Sequence, residues 1–329
     1  MRKTVKKLIC AVLVLVITVV MLGGCGNIAG SASGGTRYLY LTYNTATDTF
    51  KGLLANEMVK AAKNEGVTID VYDGTESADD QVAKIKEAAQ EGYAGIIIQA
   101  VNADTAKQIE IAANGLPVVF VNNKPEDDLL KADKYIYAGS KETQAGELQA
   151  EWVINKLGNP KKLNVIILKG VEGHAATVGR TKAIKYTLKE NGVDANYVFN
   201  DYADWSEDLA LQRMKMFFRT GQTVDAVFCN NDTMALGVIK AFKENGIDYS
   251  NIPICGVDAT ADGCASVKAG EMSMTVLQDA EGQAGIAVKA MQLLSSGKSI
   301  SALEGASEDC KAAWVPFTVV DSTNVSQYQ

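Results

Sequence analysis

Polar side chains able to make several directed hydrogen bonds recur at one kind of place in this chain, just beyond short apolar runs. They are Asn44 to Asp48, Gln99, Asn122-Asn123, Glu172 to His174, Asp201 to Trp205, Asn230-Asn231-Asp232, Asp258 and Gln278-Asp279. Carboxamides and carboxylates of this sort suit a cleft that holds a small polar molecule, with one or two aromatics to cover it. Bond-making chemistry is poorly represented. Gly173 to Thr181 has the outline of a phosphate-cradling loop, but five residues separate Gly173 from Gly179 and Arg180 stands where that loop needs lysine. There is no Gly-x-Ser-x-Gly elbow and no His-Glu-x-x-His zinc helix, and His174 has no spaced Asp and Ser around it. The acid pairs Asp79-Asp80 and Asp127-Asp128 lie in polar stretches that read as solvated surface. With a single histidine in the chain, a multi-histidine metal site is impossible, and neither metal nor cofactor is expected.

The elements that must position these groups alternate regularly. Strand-like runs are predicted at 38–43, 67–72, 95–98, 117–121, 135–138, 163–168, 196–199, 224–229, 252–257 and 272–277. Helical spacing is predicted between them, at 50–63, 79–90, 104–113, 143–157, 177–190, 206–218, 233–245, 260–269 and 280–294. Strands alternating with helices of this length make parallel sheets from right-handed βαβ units, and ten strands are too many for one comfortable sheet. The fold class is therefore α/β, as two doubly wound Rossmann-like lobes. Ligands of such sheets sit outside the carboxyl ends of the strands, which is where the polar groups fall.

Composition narrows the partners. Lys and Arg number 32 against 39 Asp and Glu, a net −7, but Arg2, Lys3, Lys6 and Lys7 crowd the first 24 residues. From Cys25 onward 28 bases face 39 acids, or −11, which lacks the basic footprint of a nucleic-acid binder. A 47% hydrophobic content with only five prolines also excludes a disordered chain.

Residues 1–24 are a basic stretch, an apolar run from Leu8 to Leu22 and then glycines, the layout of a secretory signal. Leu22-Gly23-Gly24-Cys25 resembles a bacterial lipoprotein cleavage box, which implies that Cys25 becomes the amino terminus and carries the lipid. Residues 25–36 then form a Gly/Ser-rich tether, and the product is held at the outer face of the cell membrane, the periplasmic side if an outer membrane exists. Of the remaining cysteines, Cys229 and Cys255 end apolar runs and no Cys-x-x-Cys spacing occurs, so Cys229, Cys255, Cys264 and Cys310 are expected as free thiols.

Six stretches in order carry a family resemblance: PVVFVNNKP (117–125), LKGVEGHAATVGRT (168–181), Asp204-Trp205, FCNNDTMALG (228–237), CGVDA (255–259) and SMTVLQDAEGQ (273–283). Together they resemble the type I periplasmic binding proteins for sugars, most closely the galactose/glucose-binding branch, over residues 37–329. The resemblance implies that Asp48 and Phe50 meet the sugar from the first lobe, with Phe50 stacked on the ring, and that Asn122 hydrogen-bonds it. His174, Arg180, Asn231 and Asp258 would bind hydroxyls from the other lobe, Trp205 would stack on the opposite face, and Gln278 would act from a lobe crossover. Asn231 or Asp232 also stands where it would cap the helix from Thr233.

Departures from that branch matter. Ala176 stands where the branch has an aspartate, and Gln278 is as in ribose binders, which argues against an unmodified glucose or galactose site. The segment VINKLGNPKK after Trp152 lacks the alternating oxygen ligands of the branch's calcium loop. By resemblance the N-terminal lobe takes 37–138 plus 280–310 and the C-terminal lobe 139–279 plus 311–329, with hinge crossings near 138–141, 276–280 and 300–312. The implied function is that of a monomeric substrate-binding lipoprotein of an ABC importer, not an enzyme, binding a monosaccharide and working with the permease's transmembrane subunits. The same site would also serve a sensor that presents a sugar, polyol or furanose-like signal to a chemoreceptor or histidine kinase. No amino-terminal helix-turn-helix is present, so the repressors that share this fold are set aside.

Overall fold

The computed structural model describes residues 36–328. The expected signal segment 1–24, the expected lipidation site Cys25 and all of the expected tether but Thr36 lie outside the described residues.

The first sheet is built from β1 (Arg37–Tyr43), β2 (Thr68–Gly74), β3 (Gly95–Ile98), β4 (Val118–Phe120) and β5 (Tyr135–Gly139), joined through α1 (Thr49–Asn64), α2 (Ala78–Ala88) and α3 (Ala106–Ala113). The second contains β6 (Lys162–Lys169), β7 (Asp194–Tyr202), β8 (Ala226–Cys229), β9 (Ile254–Cys255) and β10 (Met274–Leu277). Its helices are α4 (Glu142–Lys156), α5 (Ala175–Glu190), α6 (Glu207–Phe218), α7 (Asp232–Glu244) and α8 (Ala261–Lys268). After β10 the chain returns to the first sheet with α9 (Ala280–Ser295), which packs beside α1.

Side chains along each strand alternate between the two faces of its sheet, so each sheet carries two cores. Tyr38, Tyr40, Ile97 and Val119 pack with Leu54 and Met58 of α1 and Val288 and Met291 of α9, whereas Leu39, Leu41, Ile96 and Ile98 pack with Ile85 of α2 and Ile109 of α3. In the second sheet Ile166, Leu168 and Val227 face α6 and α7, and Val165, Ile167 and Phe228 face α4 and α5. Burial on both faces explains why these strands read as unbroken apolar runs.

The strand orders are β11-β5-β4-β3-β1-β2 and β12-β10-β9-β8-β6-β7, where β11 is Ala312–Trp314 and β12 is Thr318–Asp321. Each order reverses once, between β1 and β3 and between β6 and β8, and such a reversal opens a crevice at the strand ends. The chain crosses between sheets after Gly139, after Leu277 and between Trp314 and Thr318. The third crossing corrects the expectation of 300–312 and the boundary at 310/311. Ala312-Ala313-Trp314 pair in parallel with Tyr137-Ala138-Gly139, so the first sheet keeps the chain through Trp314. These two edge strands of three and four residues flank Pro316 and are too short to carry a period of their own, which is why neither was predicted. Among the described residues Cys229, Cys255 and Cys264 are buried, Cys310 is half-buried, and all four are free thiols.

Candidate functional site

Helix starts supply much of the wall between the sheets. Asp48, His174 and Asn231 are the N-caps of α1, α5 and α7, accepting from the backbone N–H of Lys51 at 3.1 Å, Ala176 at 3.2 Å and Met234 at 3.0 Å. Of the two cap candidates before Thr233, Asn231 is the one used, and Asp232 opens the helix. Capping also fixes polarity. A backbone N–H can only donate, so Asn231 accepts through Oδ1 and is left with its amide N–H₂, and His174 accepts through Nδ1 and carries its proton on Nε2. Burial, with the nearby charges of Arg180 and Lys51, pulls the His174 pKa down to about 3, so the ring stays neutral.

Arg180 is 2% exposed and organises the floor. Its Nε donates to Glu142 at 2.7 Å, Nη1 to the carbonyl of Asn230 at 2.6 Å and Nη2 to Oε1 of Gln278 at 2.7 Å. Gln278 therefore presents Nε2, a buried donor with no partner among the described residues. Asp258 stands 3.7 Å from Nη1 of Arg180, and its carboxylate accepts no hydrogen bond among the described residues. Burial raises its pKa well above the carboxylate range; Asp232, Asp48 and Glu142 push the same way, against Arg180. Burial likewise raises Glu142, while burial of Arg180 is more than offset by its two acids.

From the first sheet, Asn122 follows β4 in a left-handed conformation, φ 60°. Its Oδ1 accepts from Nε2 of Gln99 at 2.8 Å, and Thr42 donates to Gln99 Oε1 at 2.9 Å, a buried relay that turns the Asn122 amide N–H₂ away from the core. Trp205, φ 64°, follows Asp204, φ 47°, two strained non-glycine residues in succession at about 1–3 kcal/mol each. Its indole crosses Gly170, where a Cβ would come within 2.1 Å of the ring, and meets His174 edge-on at 5.4 Å.

All nine ligand-site residues predicted from sequence, Asp48, Phe50, Asn122, His174, Arg180, Trp205, Asn231, Asp258 and Gln278, line one inner cavity of about 30 Å³, joined by Ala176 and Lys51. Phe50 belongs to the core beneath it as well. A wider cleft of about 1310 Å³ opens outward over Asp48, Lys51, His174, Trp205 and Asn231. Lys51 was not foreseen. Its ammonium pairs with Asp48 at 3.2 Å and lies 3.8 Å over the Tyr43 ring, and the Asp48/Lys51 spacing of three on a helix was the only signal for it. Glu142 was missed too, because nothing near it in sequence shows that it meets Arg180. Among the described residues no three His, Cys, Asp or Glu side chains converge as a metal site.

Residues 39–299 match the periplasmic binding protein domain family. The chain belongs to that family. It is a family of binding proteins, not of enzymes. This periplasmic binding protein is 31% identical over 286 residues to a putative rhizopine-binding protein of Rhizobium meliloti, covering 86% of this chain and 89% of the relative. It is 27% identical over 297 residues to the D-galactose/methyl-galactoside binding periplasmic protein of Haemophilus influenzae, covering 85% and 88%. A solved ABC transporter solute binding protein from Bacillus halodurans with bound myo-inositol superposes with a TM-score of 0.77 at 25% identity, covering 91% of this binding protein and 99% of that chain. One from Actinobacillus succinogenes with bound D-allose, at 20% identity and a TM-score of 0.75, shares the fold.

Proposed function

We propose that this protein is the extracytoplasmic solute receptor of an ABC importer, that it takes a monosaccharide or a cyclic polyol between its two halves, and that a lipid on Cys25 tethers it to the membrane. The hydrogen-bond polarity of the inner cavity carries the ligand class. Gln278, Asn231, Asn122 and His174 offer N–H donors and Asp258, beside Arg180, offers a carboxyl group that accepts no hydrogen bond from the described residues, with Phe50 and Trp205 supplied from opposite halves. A ring bearing hydroxyls matches this, because each hydroxyl both accepts and donates while the ring C–H face suits an aromatic. Relatives named for rhizopine and for galactose, and the similar structure holding myo-inositol, support a hydroxylated ring. Ala176 puts a methyl group in the cavity wall where the galactose/glucose branch has an aspartate, which favours a ligand other than glucose or galactose.

A cavity of about 30 Å³ has room for about one water molecule, so the ring enters with the halves apart and the three crossings act as the hinge. Closure is favoured because only the closed form contacts the ligand from both sides. A thermal-shift panel of sugars and cyclitols on the protein truncated before Cys25 tests the reading, since a ligand bound only by the folded form raises Tm. If no member of the panel raises Tm, the reading is wrong. Cys25→Ser tests the anchor: the variant should leave the membrane fraction and lose palmitate labelling.

A further inference from the structure

Asp232 does not line the cavity, yet it is completely buried behind it at the first residue of α7. Its Oδ1 accepts from Oγ1 of Thr275 at 2.5 Å, and its Oδ2 accepts from the backbone N–H of Thr260 at 2.8 Å and from Oγ1 of Thr260 at 3.2 Å. Each of these contacts is made as a donation to Asp232, a set that the two oxygens of a carboxyl group can accept and an amide cannot. The surroundings leave no slack: a Cβ at Gly256 or Gly263 would fall 2.2 or 2.1 Å from a carboxylate oxygen.

The bonds converge on a strained turn. Asp258 and Ala259 have φ of 116° and 52°, a conformation that side chains oppose. Asp258 N donates to the carbonyl of Val276 at 2.8 Å, Ala259 N to Oγ1 of Thr275 at 3.2 Å and Thr260 N to Asp232 itself. Thr275 is thus a relay, accepting from the turn and donating to Asp232. At the head of the turn the Asp258 side chain faces Arg180 at 3.7 Å. Packing alone would need no carboxylate here.

We propose that Asp232, through Thr275 and Thr260, is the positioning residue of the cleft: it holds the turn at 258–260, with Asp258 and Ala259 at positive φ, and so sets where Asp258 meets Arg180 and a ligand hydroxyl. The inference rests on the reading of the cleft as the ligand site. Thr275 is fully buried and does not touch the cavity, so Thr275→Val, nearly isosteric, cuts the relay without altering the wall, and Thr275→Ser restores it. Calorimetric titration with myo-inositol, D-ribose and D-galactose supplies the probe, taken as the one wild type binds most tightly.

Thr275→Val and Asp232→Asn should each weaken that probe by about tenfold, the effect of a lost buried hydrogen bond, with Thr275→Ser within about twofold of wild type. Val and Asn variants that lower Tm but leave affinity at the wild-type value would make Asp232 a structural residue only and overturn the inference. If wild type binds none of the three probes, backbone ¹³C shifts of ligand-free Thr275→Val decide it alone. Loss of the left-handed shifts at 258 and 259 supports the positioning role, and their retention overturns it.

Discussion

Oδ1 of Asn123 accepts a hydrogen bond from the backbone N–H of Ala175 at 3.2 Å, so a residue just after β4 of the first sheet caps the start of α5 on the second. Asn123 is itself held by Nδ2 donating to the carbonyl of Ala100 at 3.0 Å. The bond spans the two halves. Asn123→Ala should therefore favour the open form, raising the dissociation rate of a bound sugar or polyol and its Kd by about fivefold to tenfold. Stopped-flow release and small-angle scattering check this; an unchanged rate and radius would show that the bond does not restrain opening.

Among the described residues Arg180 is the only cation paired with Glu142, 7% exposed, and with Asp258. Arg180→Met strands both carboxylates, and breaking a buried pair from one side costs about 3–5 kcal/mol. Urea denaturation should show that loss, part of it recovered in Arg180→Met with Glu142→Gln. Binding should stay abolished in both, because Gln278 also loses the donor that orients it.

Gly170 is the position where any Cβ would strike the Trp205 ring. Gly170→Ala should push the indole off its seat and away from His174, changing tryptophan fluorescence and weakening ligand by about tenfold or more, with the circular dichroism spectrum retained. A wild-type emission spectrum and affinity together would mean that the indole has another way to settle.

Buried groups pull the pH dependence of stability in opposed directions, as His174 and Asp232 show. His174, held near 3 when folded against an ordinary 6.5, refuses a proton that the unfolded chain accepts, so its contribution is present above about pH 6.5 and is lost as pH falls. Asp232, raised by burial to about 7 from 3.8, keeps a proton that the unfolded chain releases, so its contribution is present below about pH 4 and is lost as pH rises towards 7. His174→Gln removes the first alone. Relative to wild type, its urea midpoint should improve between about pH 7.5 and about pH 5. A difference that does not change with pH would show that His174 takes its proton in the folded state.

The alternation of strands and helices was legible because each βαβ unit writes its period locally, and the polar strand ends were legible because residues that cap helices, Asp48 and Asn231 among them, are types rarely found inside apolar runs. His174 joined them through its place in a motif, since its capping by Nδ1 leaves no mark in sequence. Strands β11 and β12 were not legible, being edge pieces defined by their partners β5 and β10.

By itself the sequence determined which side chains could reach the crevice: amides, acids, Arg180, His174 and two aromatics at the ends of strands. Tertiary structure decided which atom of each faces inward. Gln278 shows N–H₂ because Arg180, 98 positions away, takes its oxygen, and Asp258 comes within 3.7 Å of Arg180 at the head of a turn whose N–H groups bond to Thr275 and Asp232. It also decided that Lys51 and Glu142, ordinary helix residues by their neighbours in sequence, are buried partners of the site. Residue type and period are local properties, whereas burial, hydrogen-bond polarity and protonation depend on groups that only folding brings within a few ångströms.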